Sequence, residues 1–424
     1  MSPADRLGTG TPVADFLVTD HHDTDPAGLS RRAGGPPVAE LAARLLRVRE
    51  RMAEQSLAAL VVTDPANIYY LVGYDAWSFY TPQCLVVPAR GAPALFTRAM
   101  DAAGASYTAA LPSAQIHGYP EALVHRPDRH PFDWITARAV ELGVLPDTGH
   151  AIVAVEGDSA FFGARGYLAL AAGLQRAQLI DSRELVNWIR LVKSPYEQDL
   201  LRIAGQIATQ AMATAIEAVQ IGRRQCDVAA EIVAAQVRGT PEHGGDFPAI
   251  VPLLPTGEMA GTPHLTWTDE PFEAGAATTI ELAGAYRHYH APLARTVMLG
   301  SPPGPLRSTA ALLADLMPST IAALRPGVTG GQVHRFFDTE LRRHGLRKES
   351  RIGYSIGIGY PPDWGERTVS LRTDESTVLT AGMAFHLIFG MWMDGWGYEL
   401  SESVLITPDG AERLTHLPQT LTQR

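Results

Sequence analysis

A carboxylate stands in this chain where a strand should bury it. Glu281 lies in Thr279-Ile280-Glu281-Leu282-Ala283, whose apolar and β-branched neighbours predict a buried strand. A carboxylate in such a place is paired or functional. It could hold a cationic group of a ligand, or attack an electrophilic carbon as a nucleophile. The bland alternative is a strand carboxylate that points to solvent. Seventeen residues earlier comes His264, in Thr262-Pro263-His264-Leu265-Thr266-Trp267. An imidazole suits general acid–base work at neutral pH. Taken alone, a histidine is more often a core or surface residue.

The elements that must position these groups can be read from periodicity. Leu41, Leu45, Leu46, Val48 and Met52 fall on one side of a helix over Val38–Leu57. Short apolar strands then alternate with helices. The strands are expected at Ala59–Val62, Cys84–Val87, Ala94–Thr97, Gln115–Gly118, Ala151–Val155 and Gln178–Ile180. The helices are expected at Ala102–Ala110, Pro131–Leu142, Ser159–Ala171 and Glu184–Ile189. Such alternation predicts an α/β layer. Near Val192-Lys193-Ser194-Pro195 a second domain opens, with Ser194 as N-cap of a long helix from Tyr196 to Val219. That domain carries an internal repeat. Gly222 and Val228 precede a helix ending at Arg238-Gly239; Gly327 and Val333 precede one ending near Gly345, 105 residues on. Later strands are expected at Met383–Ile388 and Glu399–Ile406.

A chain of 424 residues is too long for one ordinary core. Hydrophobic residues at 46% and charged residues at 19% are ordinary for a globular protein. The net charge of −10 argues against nucleic acid and anionic membranes as partners. The two cysteines, Cys84 and Cys226, fall in different predicted elements, so no disulfide framework is expected and a reducing cytoplasm is the simpler setting. No apolar run approaches a transmembrane span. Residues 1–36, rich in Gly, Pro, Asp and Thr, read as a disordered tail rather than a secretory signal.

The spacing around Glu281 resembles that of the pita-bread superfamily of methionine aminopeptidases, prolidases and creatinases. Its metallopeptidases carry two aspartates eleven residues apart, then an Arg-Thr pair. Here those positions hold Glu281, Pro292 and Arg295-Thr296. Phe247-Pro248-Ala249-Ile250-Val251, Arg325-Pro326-Gly327, Gly353-Tyr354-Ser355-Ile356-Gly357, Gly382-Met383-Ala384-Phe385 and Ser403-Val404-Leu405-Ile406-Thr407 match further landmarks. The resemblance implies an α/β (α+β) fold with a creatinase-like N-terminal domain over 37–192 and a pita-bread catalytic domain over 193–415. Residues 416–424 remain as a C-terminal tail. It places the remaining metal ligands on Tyr354, Ile388 and Ser401, and a second peptidase histidine on Pro361, so neither metal nor cofactor is expected. His264 matches an upstream histidine that metal-free creatinases use as general acid/base, which makes Glu281 and His264 the expected catalytic pair. Creatinase-like enzymes are homodimers in which one N-terminal domain covers the partner's site, a role suited to the Tyr74–Tyr80 loop.

Within the superfamily the chain resembles the ectoine hydrolases most. The resemblance rests on Gly73-Tyr74-Asp75-Ala76-Trp77-Ser78-Phe79-Tyr80, His243-Gly244-Gly245-Asp246-Phe247-Pro248, Tyr289-His290-Ala291-Pro292 and Tyr360-Pro361-Pro362-Asp363-Trp364-Gly365-Glu366-Arg367-Thr368. These enzymes act on a small cyclic amidine carboxylate and open it to N-acetyl-2,4-diaminobutyrate without a metal. For such a ligand, Trp77, Tyr80, Trp364 and Trp396 could face the amidinium. Glu281, Glu399 or Glu402 could pair with its charge, and Arg367 could fork onto its carboxylate. Tyr354 joins the expected substrate-binding set. Each aromatic alone is more often core, and Glu366-Arg367 alone more often a surface pair. Two other classes stay open: an Xaa-Pro dipeptidase-like metallopeptidase, and a non-catalytic binding protein on a peptidase-like scaffold.

Overall fold

The computed structural model describes residues 35–424; residues 1–34 of the expected tail lie outside it. The described backbone divides into two compact units, one ending at Ile189 and the other spanning Arg190–Arg424.

The first unit runs α1 (Val38–Glu54), β1 (Ala59–Val62), α2 (Pro65–Val72), β2 (Cys84–Pro88), β3 (Ala94–Arg98), α3 (Ala99–Thr108), β4 (Ile116–Tyr119), α4 (Pro131–Glu141), β5 (Ile152–Val155), α5 (Ala164–Gly173), β6 (Gln178–Asp181) and α6 (Leu185–Arg190). Its six strands order as β4-β3-β2-β1-β5-β6. Only the β1–β2 and β2–β3 pairs are antiparallel. The central β1 and β2 are buried along their whole length, as strands covered on both faces should be. Helix α2 is an addition to the expected elements. Asp64 caps it, Pro65 opens it, and Gly73 closes it at φ 71°, a start and stop in which only glycine is free of steric cost at the end.

The second unit opens with α7 (Pro195–Ala218) and α8 (Gln225–Arg238). Ser194 caps α7 as its sequence implies, and the Glu197 carboxylate answers by accepting from the Ser194 N–H at 2.9 Å. There follow β7 (Ala277–Tyr286), β8 (Tyr289–Met298), α9 (Gly304–Ala323), α10 (Gly330–Arg343), β9 (Gly353–Tyr360), β10 (Asp363–Ser370), β11 (Ala384–Met393), β12 (Trp396–Thr407), β13 (Gly410–Arg413) and β14 (Thr422–Gln423). The sheet orders as β13-β12-β11-β9-β8-β14, with β10 on β9 and β7 on β8. The repeat is real at the level of helices: α8 and α10 each have 14 residues and begin 105 residues apart.

Alternation along the strands sorts side chains onto two faces. Ile280 and Leu282 pack on Ala208 and Met212 of α7. Tyr398, Leu400, Val404 and Ile406 pack with Leu313 and Met317 of α9 and Phe337 of α10. Glu281, Glu399 and Ser401, at the opposite parity, face away from these helices. The β7–β8 hairpin turns through Arg287 and His288, both at positive φ (48° and 62°), the signature of a tight two-residue turn. It sets Glu281 directly opposite Ala294.

The expected C-terminal tail is a correction. Thr422–Gln423 pair in parallel with β8, and the Leu417 and Pro418 carbonyls accept from buried Arg295. A guanidinium out of water needs acceptors, and this segment supplies them. Among the described residues no helix is long and apolar enough to cross a membrane.

Candidate active site

Glu281 is 7% exposed on β7. Its backbone N–H and C=O both bond to Leu253, at 3.1 and 2.9 Å. Among the described residues nothing donates to its carboxylate, and burial pushes that group up to about 7. Glu399 on β12 is 3% exposed, and its Oε1 has no hydrogen-bond partner among the described residues. Burial first, and the negative charge of Glu281 second, hold Glu399 well above the carboxylate range, while Lys348 pulls the other way. The two carboxylates thus repel one another, and neither Glu281 nor Glu399 Oε1 has a donor among the described residues. Thr296 fixes the Glu399 backbone, its Oγ1 donating to the Glu399 carbonyl at 2.9 Å and accepting from the Glu399 N–H at 2.9 Å.

Beside this pair runs a chain of hydrogen bonds. The Ala294 N–H donates to Ser401 Oγ at 2.6 Å. Ser401 Oγ meets His386 Nε2 at 2.7 Å, and His386 Nδ1 meets Tyr354 Oη at 2.9 Å. Trp364 Nε1 donates to the same Tyr354 oxygen at 2.8 Å. Strand register explains the meeting: Tyr354 of β9 lies directly opposite His386 of β11. His386 is fully buried and burial lowers its pKa to about 3, so the imidazole is neutral. Tyr354 is pushed well above its usual value, by burial first and then by Glu281.

Residues 44–192 match the creatinase/prolidase N-terminal domain, and residues 199–408 match metallopeptidase family M24. The ectoine hydrolase of Halomonas elongata is 40% identical over 390 residues, covering 90% of this chain and 96% of that one. An uncharacterised hydrolase/peptidase of Sinorhizobium fredii is also 40% identical, over 90% of this chain and 97% of its own. The chain belongs to the M24 family. The crystal structure of dipeptidase PepE from Mycobacterium ulcerans superimposes with a TM-score of 0.75, at 24% identity, covering 92% of this chain and 99% of that one; it supports the fold alone. This M24 member is a hydrolase acting on C–N bonds.

The family implies a metal, so the donor set of this M24 chain matters. Pro292 and Ile388 carry no ligand atom. Tyr354 Oη and Ser401 Oγ are engaged with neutral partners. Glu281 is the one carboxylate at the five ligand positions, and divalent cations need several anionic oxygens. Among the described residues no cluster of three His, Cys, Asp or Glu could hold a metal ion. These residues do not fit one.

Several expected site residues are brought together, and several are not. Glu281, Glu399 and Tyr354 gather on one face, with Trp364 behind them. Trp364 is buried among Ala249, Ala283 and Tyr354 and spends its N–H on Tyr354. It therefore supports the site rather than offering an open ring to a ligand. Glu402 is a clear correction. It points to the helix side of β12 and is taken up by Arg295 at 2.6 Å, Arg413 at 3.1 Å, Gln419 at 3.1 Å and Thr415. Arg367 is exposed with φ 54°. Glu366, expected as its surface partner, is buried against Lys193 at 2.6 Å, with Arg190 at 3.8 Å. Trp77 and Tyr80 belong to the first unit and are more than half exposed there. Trp396 packs at the edge of the α9–α10 core.

His264 lies exposed in the loop after residues 257–261, at φ 67°. The loop is tethered toward the carboxylate: the Leu254 N–H donates to the Leu265 carbonyl, and Leu253 is bridged to Glu281. These links tie the His264 loop to the Leu253-Leu254 segment that pairs with Glu281. Sequence reading missed His386. Its one signal was a polar residue between Phe385 and Leu387 in an otherwise apolar strand.

Proposed function

We propose that this chain opens the ring of ectoine, a cyclic amidine carboxylate, to N-acetyl-2,4-diaminobutyrate without a metal. The observation that carries the reading is Glu281: a buried carboxylate with no donor among the described residues, on the strand face opposite the one that packs on α7. The 40% identity to a protein named ectoine hydrolase supports the substrate.

In this mechanism a Glu281 oxygen adds to the amidine carbon. One ring C–N bond breaks as His264 protonates the departing nitrogen, leaving an imidate ester on Glu281. His264 then takes a proton from water, whose oxygen adds to the same carbon. Glu281 departs and the acetamide remains. The sum is one amidine and one water to one amide and one amine. Splitting a poor displacement in two is the benefit of covalent catalysis. Glu399 and Tyr354 line the same side, and Arg367, Trp77 and Tyr80 are candidates for the outer wall. The last two would arrive from the partner of a homodimer, its N-terminal domain closing the site. Both cysteines are free thiols, which fits a cytoplasmic enzyme.

The test is incubation of purified protein with ectoine, with and without a chelator, and mass detection of the ring-opened product. Ring opening in both arms supports the reading. No product in either arm, or product only without chelator, overturns it.

A further inference from the structure

The hydrogen bonds around His386 can be oriented by counting donors and acceptors. Ser401 Oγ already accepts from the Ala294 N–H. Ser401 is fully buried, and its hydroxyl hydrogen has one acceptor in reach, His386 Nε2. If Nε2 carried the proton instead, the serine hydrogen would be left buried and unpaired, at a cost of about 1–3 kcal/mol. So Nε2 accepts, and the proton of the neutral imidazole sits on Nδ1. Nδ1–H must then donate to Tyr354 Oη, which also receives the Trp364 N–H. Both acceptor positions of the phenol are filled. Its own hydrogen therefore turns from both, on the face where Tyr354 and Trp364 pack with Ala283, two residues from Glu281 on the same side of β7.

The sequence of contacts also closes on itself. Ala294, where the chain of bonds begins, is the residue directly across from Glu281. The Glu281 N–H and C=O turn away to Leu253, so this is the closer, non-hydrogen-bonded kind of cross-strand pair. We propose that Ser401, His386 and Trp364 are positioning residues that aim the Tyr354 hydroxyl at Glu281. With substrate bound, the hydroxyl closes on one carboxylate oxygen, a bond this structure does not contain, and leaves the other free to reach the reacting carbon. The positions that would hold a metal in the family are thus filled by an uncharged device that orients the carboxylate. Charged groups bordering it are Glu399 on β12, Lys348, Asp363 on β10, and Arg351, whose guanidinium lies 4.1 Å over the Tyr354 ring. This role for Glu281 rests on the covalent reading above.

The first arm needs no substrate. Nitrogen-15 NMR of histidine-labelled protein, with the His386 signals assigned by their loss in His386→Asn, should show the Nδ1–H tautomer. An Nε2–H tautomer overturns the proposal, whatever the enzyme acts on. The second arm is kinetic, with ectoine. Tyr354→Phe should lower kcat by roughly 100-fold and shift KM less than about threefold, since positioning acts in the transition state. His386→Leu should reproduce that loss. His386→Asn, which restores a donor near the Nδ1 position, should recover about tenfold of it. The double variant Tyr354→Phe/His386→Leu should be no slower than Tyr354→Phe alone, because both cut the same path. Additive losses, or no rescue by Asn, overturn the proposal. Should His386→Leu fail to fold, Ser401→Ala replaces it in the cycle. Failure of the wild type to open ectoine would sink the substrate reading while leaving the tautomer result to decide the relay.

Discussion

The two faces of β12 treat a buried glutamate in opposite ways. On the helix side Glu402 is fully buried and met by Arg295, Arg413, Thr415 and Gln419. Three residues earlier, on the other face, Glu399 is almost as buried, yet Oε1 has no partner among the described residues, and the negative charge of Glu281 weighs on it more than the positive charge of Lys348. The same residue type, on the same strand, at nearly the same depth, is in one place a fastener and in the other a liability. A desolvated carboxylate without donors costs stability, so it persists where the charge or the acid is used. The contrast separates the face that holds the unit together from the face that does chemistry.

The largest expected effect is at Glu281. Glu281→Gln keeps the volume and should lower kcat for ectoine by at least roughly 1,000-fold, the scale seen when a covalent nucleophile is removed. Glu281→Asp withdraws the carboxylate by about 1.5 Å, which should cost roughly 100-fold. Both should fold. Substantial turnover by Glu281→Gln would leave the carboxylate as a holder of the cationic ring, with His264 activating water directly.

Next comes a crossing of stability effects. Glu402→Gln strands the Arg295 guanidinium in the core and should destabilise by about 3–5 kcal/mol. Glu399→Gln removes a carboxylate that burial and Glu281 disfavour more than Lys348 favours it, and should leave the melting temperature at pH 8 unchanged or higher. Thermal melts of the two variants side by side decide it; equal losses would erase the distinction between the faces.

A smaller effect follows from proton linkage. Glu281 is raised from 4.5 to about 7 on folding. Between those values the unfolded chain has released a proton that the folded chain keeps, so this group makes stability fall as pH rises through the window. Glu399, also raised, extends the fall upward. Buried His290 and His386, both lowered to about 3, act in the opposite sense below pH 6.5. The clean observable is therefore a difference. Relative to wild type, Glu281→Gln should gain on the order of 2 kcal/mol between pH 5 and pH 8, while wild-type turnover rises through about pH 7. Parallel melting curves for the two proteins would show that Glu281 is not raised.

How much of this was legible beforehand differs by the range of the interaction. The burial of Glu281 could be read from Ile280, Leu282 and their neighbours, because period-2 burial is local. The Ser194 cap was readable for the same reason, its partners lying within three residues. The helical repeat needed only two glycines and a spacing. What stayed hidden required register. Glu399 and Glu402 differ in parity, but which parity faced the helices depended on where α9 and α10 packed. His386 gained meaning only from Tyr354 and Ser401, 32 and 15 residues away, through strand pairing. Arg367 resembled a carboxylate clamp until β10 turned it outward and Glu366 inward. The last residues looked like a tail because nothing near them revealed that Arg295 needed their carbonyls.

The smallest expected effect is from chelation, and it bears on the front face most directly. Two buried carboxylates that repel one another are an arrangement that a divalent cation could also exploit. Against that, the surrounding atoms are wrong for one. The Tyr354 and Ser401 oxygens are occupied by neutral hydrogen bonds, and Pro292 and Ile388 offer none. Shared protons can relieve the Glu281–Glu399 repulsion below about pH 7 without any metal. Exhaustive chelation should therefore change kcat less than about twofold, with no stoichiometric metal in the protein by elemental analysis; a real site would have cost activity in proportion to the metal removed. Loss of activity restored by one added divalent ion per chain would place that ion between Glu281 and Glu399. The contrast with Glu402 would then be between two ways of neutralising a buried carboxylate, by arginine on the back face and by metal on the front.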